Sequence, residues 1–365
     1  MPWTVLDGIL PDACAACLSD PYFPSGAGTW EHLRKYKESP DTVPSALATD
    51  IISLAVAQKM AEFHLRVVEP LTERYCRWVL SALSSSPEPA PLTKTEKSRI
   101  QRAIYRLQVI CNSGISGPQE ILAVLDSFGP WAAEQIICVY EFAKERFTSA
   151  FIECAREFIK QDLDPPIYHY VPQMMLDFNE RLLLYQEDEE YIDGETLCEI
   201  LSLGLSVLQE SFRAKDVEDL CDVIRSNLPY CVGGPFHFQW IHGAVRQEHQ
   251  FDRYFDHFYS EHDEPQDTRQ EMLFEQDDLL SPPLAWVTFW GGRYSNQIGE
   301  HIPAALHRWG YVMWDAKRLK ESGAMEYIEL EWQCKYGIRG SSEDDDPRDY
   351  YIAAYQQELG NDASG

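Results

Sequence analysis

Apolar residues recur at helical spacing along most of the chain. Between Ala46 and Leu83, the positions Ile51, Leu54, Ala55, Met60, Phe63, Val67 and Leu71 fall three and four apart, with some drift. That spacing predicts a helix. Pro70 lies inside it and is expected to kink or break it, because proline has no N–H and its ring crowds the preceding turn. The stretch SSSPEPAPLT, residues 84–93, reads as a loop. Thr93 and Glu96 then stand at capping-box spacing. Ile100, Ile104, Leu107 and Cys111 follow as one apolar stripe, and Asn112-Ser-Gly is a stop. A further helix is expected near Pro118. Another starts at Pro130, where proline suits the first helical position, and its wide apolar face marks it as central.

Pro165-Pro166 interrupt the pattern, and residues 170–186 are helical again. EDEEYID, 187–193, is an acidic connection. The Leu-rich stretch 195–214 predicts a helix buried on most sides, and 215–228 a short amphipathic helix closed by Pro229. CVGGPFHFQW, 231–240, is a turn region. Residues 260–283 read as an acidic loop with a helical turn, MEYIELEWQCKYG alternates partly, and the tail ends in a short helix. No repeats appear, and no alternating run is long enough for a large sheet. The expected fold is mostly α: a single helical domain, with long loops in the C-terminal third and little or no sheet. Residues 1–45 form an irregular N-terminal segment in this reading. The helical core covers 46–335, and 336–365 hold an acidic motif and tail.

Composition narrows the function. With 365 residues, 45% of them hydrophobic, the chain has material for a substantial core. No run of about 18 apolar residues exists, so no membrane span is expected. The opening residues lack a basic region and include Asp7 and Asp12, unlike a secretory leader, so a cytoplasmic location is expected. The 10 cysteines are scattered. Cys14 and Cys17 form a CxxC without a second pair, and His237, His242 and His249 lack zinc-helix spacing, so no metal is expected. The formal charge of −28 argues against DNA and anionic membranes. No phosphate-cradling, dinucleotide, zinc-protease or nucleophile-elbow motif is present, and no cofactor is expected.

Three features stand out. Lys94, Lys97, Arg99, Arg102 and Arg106 face a single acid, Glu96, on one helix. Arg99, Arg102 and Arg106 make a stripe beside the apolar one, either a solvated face paired with acids or a phosphate track for RNA. Glu343, Asp344, Asp345, Asp346 and Asp349 form an acidic run, either surface decoration or a grip for a guanidinium. The stretch WGGRYSNQIGEHIPAALHRWGYVMWD, 290–315, holds Trp290, Arg293, Tyr294, Ser295, Trp309 and Trp314 around the permissive Gly291-Gly292. It is either an aromatic corner closing the core or a pocket wall.

RIQRAIYRLQVICN, FGPWAAEQIICVYEFAKER and WGGRYSN…RWGYVMWD…RL, spread over residues 98–320, resemble three blocks of a large group of fungal, mostly helical proteins. Many members are loosely called F-box-like, and one branch is the arginine-containing cyclodipeptide synthases. The resemblance implies tRNA-dependent synthesis of an arginine-containing cyclic dipeptide. Its partners would be arginyl-tRNA and a second aminoacyl-tRNA, with tailoring enzymes acting downstream. The branch's DDxxE motif has its nearest counterpart in DDPRD, where the last position is Asp instead of Glu. By that resemblance Asp345, Asp346 and Asp349 carry acid–base or guanidinium-binding work. Arg99, Arg102 and Arg106 would contact RNA, and Trp290, Arg293, Tyr294, Ser295, Trp309 and Trp314 would line the substrate pocket. Ser295 is the first hydroxyl to consider for an acyl-enzyme. The alternative is a non-catalytic, F-box-like interaction scaffold. An F-box opens with Leu-Pro and a helix, for which Leu10-Pro11 is the only N-terminal match.

Overall fold

The N-terminal segment departs first from the expected pattern. In the computed structural model, Leu10–Leu18 form a helix, α1, with Pro11 in its first turn where no N–H is needed. The structure describes residues 8–20, 35–36, 53–83, 90–112, 125, 127–160, 204–231, 270–295, 298–299 and 302–332. Ala13, Cys14, Ala15, Ala16 and Leu18 of α1 are buried. Its small residues let it approach the helix at 94–112 closely, so its apolar face is used inside this fold.

Helix α2, Leu54–Phe63, is capped by Ser53, whose hydroxyl accepts from the Val56 N–H at 3.3 Å. It runs into a five-residue π turn, His64–Val68, and then into α3, Glu69–Leu83. Pro70 neither breaks nor ends this segment. The amide that would close the α turn onto the Arg66 carbonyl belongs to Pro70 and does not exist. The wider π turn takes up the ring there.

Helix α4, Lys94–Asn112, begins and ends where its sequence places it. The capping box is complete: Glu96 N–H donates to Thr93 Oγ1 at 3.1 Å, and Thr93 N–H donates to Glu96 Oε2 at 3.0 Å. The expected single apolar stripe understates its burial. Residues 98–111 are all buried, so α4 is the central helix, with α1, α3 and α5 around it. Helix α5, Pro130–Lys160, starts at the expected proline and runs beyond the predicted stretch. Helices α6, Leu205–Arg213, and α7, Val217–Cys231, pack on α5.

The last third folds back over these helices as α8 (Leu284–Phe289), α9 (Ala304–Arg308), a 3-10 turn (Tyr311–Met313), α10 (Ala316–Glu321) and α11 (Ala324–Trp332). The partly alternating stretch after Ala324 is therefore helical through Trp332. Gly291 and Gly292 take φ of +60° and +76°, which turns the chain so that Glu271 and Arg293 form an isolated antiparallel bridge. Helix makes up 74% of the described residues and no sheet forms among them, so the fold is mostly α. No described helix is long and apolar enough to cross a membrane.

Thr93 joins α4 to this last third, since its hydroxyl also donates to Asp315 Oδ2. Thr93→Ala is expected to lose both the cap and that link. It should cost about 1–2 kcal/mol in urea unfolding, while Thr93→Ser should retain most of the stability.

Candidate functional site

The arginine stripe of α4 exists, but it faces inward. Arg99, Arg102 and Arg106 are 1%, 6% and 1% exposed. Arg106 Nε donates to Asp12 Oδ1 at 2.7 Å, and Arg102 Nε donates to Asp12 Oδ2 at 3.2 Å. Arg102 also donates to the Leu279 carbonyl at 2.7 Å. Arg99 donates to Asp315 at 3.0 Å and to the Asp278 carbonyl at 2.9 Å. The expected phosphate track is thus corrected: α1 on one side, and residues 277–279 and 313–315 on the other, cover the stripe. The guanidiniums satisfy buried acids and carbonyls, and RNA phosphates have no access to them in this fold.

The aromatic block is a core corner. Trp290, Trp309 and Trp314 are 1%, 3% and 0% exposed. Trp314 Nε1 donates to the Trp309 carbonyl at 2.7 Å. Trp290 packs edge-on to Trp286 and Phe289, and Trp309 edge-on to Tyr311. Glu134 of α5 anchors the block from below. It accepts from the Gly299 N–H at 3.0 Å and bonds His307 Nε2 at 2.5 Å. These tryptophans fill the interior and do not line an open wall. Ser295 is fully buried, so its hydroxyl is closed to a tRNA-borne ester, whereas Arg293 and Tyr294 are half-buried. Thiol nucleophiles fare no better at the N-terminal CxxC. Burial pushes Cys14 up to about 12 and Cys17 up to about 11, which keeps both as thiols at neutral pH. Asp345, Asp346 and Asp349 lie outside the described residues. Among the described residues no group of His, Cys, Asp or Glu has a metal-holding arrangement.

Two polar clusters that reach the surface flank the π turn. The first centres on Glu69. Its Oε1 accepts from Lys97 at 2.9 Å, from His64 Nε2 at 3.0 Å and from Gln101 at 3.1 Å. Among the described residues its Oε2 takes no bond. Burial raises the Glu69 carboxyl, but Lys97, His64 and Gln101 together outweigh it and hold the group below its usual range. It is ionised at neutral pH. Burial holds His64 below its usual range as well, against the pull of Glu69, so its ring is neutral. A carboxylate only accepts, which places the imidazole proton on Nε2. Nδ1 then accepts from the Tyr105 hydroxyl at 2.9 Å. The His64 side chain is itself buried and Glu69 is 23% exposed, so Glu69 and the half-exposed Lys97 are what a ligand meets.

The second cluster is cationic. Arg74 and Arg77 lie one turn apart on α3, Arg146 is on α5 and Arg213 ends α6. The guanidiniums of Arg74 and Arg146 sit 4.7 and 5.0 Å from the centroid of the Phe212 ring, which stacks on Phe142. Burial, and then repulsion from Arg77, Arg146 and Arg213, hold Arg74 below its ordinary value. Arg213 donates to the Arg66 carbonyl at 2.9 Å, the acceptor that Pro70 leaves without its α-helical donor. Pro70 thus leaves open the carbonyl that anchors Arg213. Sequence reasoning passes over this cluster because Arg74 and Arg77 stand beside acids and aromatics in TERYCRW, while Arg146 and Arg213 come from distant segments. The interruption of a helical pattern by Pro70 is the one local sign.

No protein-family model, curated protein or solved structure matches the chain.

Proposed function

We propose that the protein joins arginine and a second amino acid, each delivered as an ester on tRNA, into a cyclic dipeptide. The α-amine of one residue attacks the ester carbonyl of the other. A C–N bond forms, the C–O bond breaks, and the amine proton ends on the departing ribose oxygen. A second attack of the same kind closes the ring and releases the second tRNA. Both esters are already activated, so the chemistry asks for positioning and charge handling, with no nucleotide triphosphate.

The observation that carries this reading is Glu69. It is an ionised, half-buried carboxylate with one oxygen held by three donors and the other without a partner among the described residues. Such a group suits a cationic substrate, and an arginyl ester brings both a guanidinium and an α-ammonium. In this reading Glu69 holds that cation, and His64 and Gln101 fix the carboxylate's orientation. The sequence blocks that prompt the reading also interlock. Arg99 of the first block donates to Asp315 of the third, and Gln135 of the second donates to the Val312 carbonyl at 3.3 Å.

The test is expression in a bacterial host with its own charged tRNAs, followed by mass spectrometry for cyclo-(Arg-Xaa) products. Soluble protein without any such product overturns the reading. Glu69→Gln should lower product by about ten-fold or more, equal to the loss of one charge-assisted contact, with helical circular dichroism unchanged.

A further inference from the structure

Gathering arginines in one place is opposed by their mutual repulsion. Arg74, Arg77, Arg146 and Arg213 nevertheless share one region, where three of them repel the fourth. Carboxylates do not neutralise them in proportion. Arg74 and Arg77 form no ion pair with a described residue. Among the described residues Arg213 bonds only the Arg66 carbonyl. Arg146 reaches Glu153 at 3.8 Å, and Glu153 is itself exposed. The other nearby acid, Glu145, accepts from Trp78 at 2.7 Å and from Arg308 at 3.2 Å. Glu73, beside Arg74 in sequence, attracts it, but less than Arg77, Arg146 or Arg213 repels it, and Glu73 is exposed.

On α4 every buried guanidinium has a carboxylate. Here, Arg146 has its Nε buried with no hydrogen-bond partner, while another of its N–H groups donates to the Ser211 carbonyl. Arg74 is half-buried on Phe212, and Arg77 and Arg213 are exposed. The cations thus range from a half-buried floor to an open rim, the distribution of a site that receives an anion from solvent.

We propose that Arg74, Arg77, Arg146 and Arg213 form a phosphate-binding site, with Phe212 as the apolar support that spaces Arg74 and Arg146. Planar guanidiniums match phosphate oxygens bidentately, and an incoming anion removes the repulsion among them. The ligand class is a phosphate ester, borne either on an RNA backbone or on a small molecule. This inference stands on its own geometry and does not need the peptide-forming reading.

Two probes separate the sources: an unacylated tRNA transcript and inorganic phosphate, each titrated into the full-length protein. Binding of tRNA that weakens steeply between about 50 and 200 mM salt, with no effect of phosphate, assigns the site to a nucleic-acid backbone. A rise in melting temperature with phosphate, and competition between phosphate and tRNA, assigns it to the phosphoryl group itself. In either case Arg77→Glu should weaken binding about ten-fold, and Arg74→Glu with Arg77→Glu should weaken it further. Arg77 is exposed, so its variant is expected to fold, which circular dichroism checks. Lys317→Glu on α10, another exposed cation, should leave binding unchanged. The proposal is overturned if neither probe binds, or if Arg77→Glu binds as tightly as the native chain. No product is measured here, so failure to make a cyclic dipeptide leaves this outcome intact.

Discussion

Asp12→Ala is expected to destabilise the protein by about 3–5 kcal/mol, the range for removing one partner of a buried ion network. Asp12 is 1% exposed. Its two oxygens accept from Arg106 at 2.7 Å, from Tyr36 Oη at 2.7 Å and from Arg102 at 3.2 Å. Removing the carboxylate leaves two buried guanidiniums facing each other along one helix. Since a domain is typically stable by only about 5–15 kcal/mol, the soluble yield should fall sharply and the urea midpoint should drop. The cause is the orphaned charge, so a triple variant, Asp12→Leu with Arg102→Met and Arg106→Met, should recover most of the loss. If the triple variant is no better than Asp12→Ala, the network matters for its shape rather than its charge.

The same residue sets an acid limb. Burial raises the Asp12 carboxyl, but Arg106, Arg102 and the Tyr36 hydroxyl outweigh burial and hold it below its ordinary 3.8. A carboxylate with a depressed folded-state value contributes stability that is present above its unfolded value. That contribution is lost as pH falls through the folded one. The native chain should therefore lose stability progressively below about pH 4. Asp12→Asn should show a shallower dependence there, measured as urea midpoints across pH 2–6.

Gly310→Ala is expected to cost about 2–4 kcal/mol, from left-handed backbone strain together with overpacking. Gly310 has φ +57° and ψ +44°. A Cβ at this position would lie 2.3 Å from Tyr75 Oη and 3.2 Å from Tyr75 Cζ. Tyr75 cannot yield, because its ring is fully buried and edge-on to Phe142. Its hydroxyl also has no hydrogen-bond partner. Tyr75→Phe alone should therefore be near neutral, since the oxygen removed is a buried polar atom without a bond. Adding Tyr75→Phe to Gly310→Ala should restore about 1–2 kcal/mol as a coupling energy. Strict additivity of the two substitutions would show that the cost lies in the backbone alone.

Local chemistry was legible. The Thr93–Glu96 box, the stop at Asn112 and the start at Pro130 each appear where the residues place them. The glycine pair at 291–292 makes the tight turn its composition suggests, and the absence of alternating runs matches the helical fold. Each of these depends on contacts within about four residues. The N-terminal helix was harder to see, because Ala and Cys give α1 a weak apolar contrast and much of its order comes from packing against α4.

The candidate sites were less legible for a related reason. Lys, Arg and acid residues look alike in a sequence whether they end in water or in the core. Arg99 reads as a surface cation until Asp315, 216 residues away, is placed against it. Arg74 and Arg146 read as ordinary helix-surface charges until Phe212 brings them together. The sequence by itself determined where α4 and α5 start, where α4 stops, and that the chain is strongly acidic. Only the tertiary structure decided which arginines have carboxylates and which are left to meet an anion. Periodicity and capping act through the nearest turns of one helix, whereas burial and pairing of a charge are set by whichever distant segment covers it.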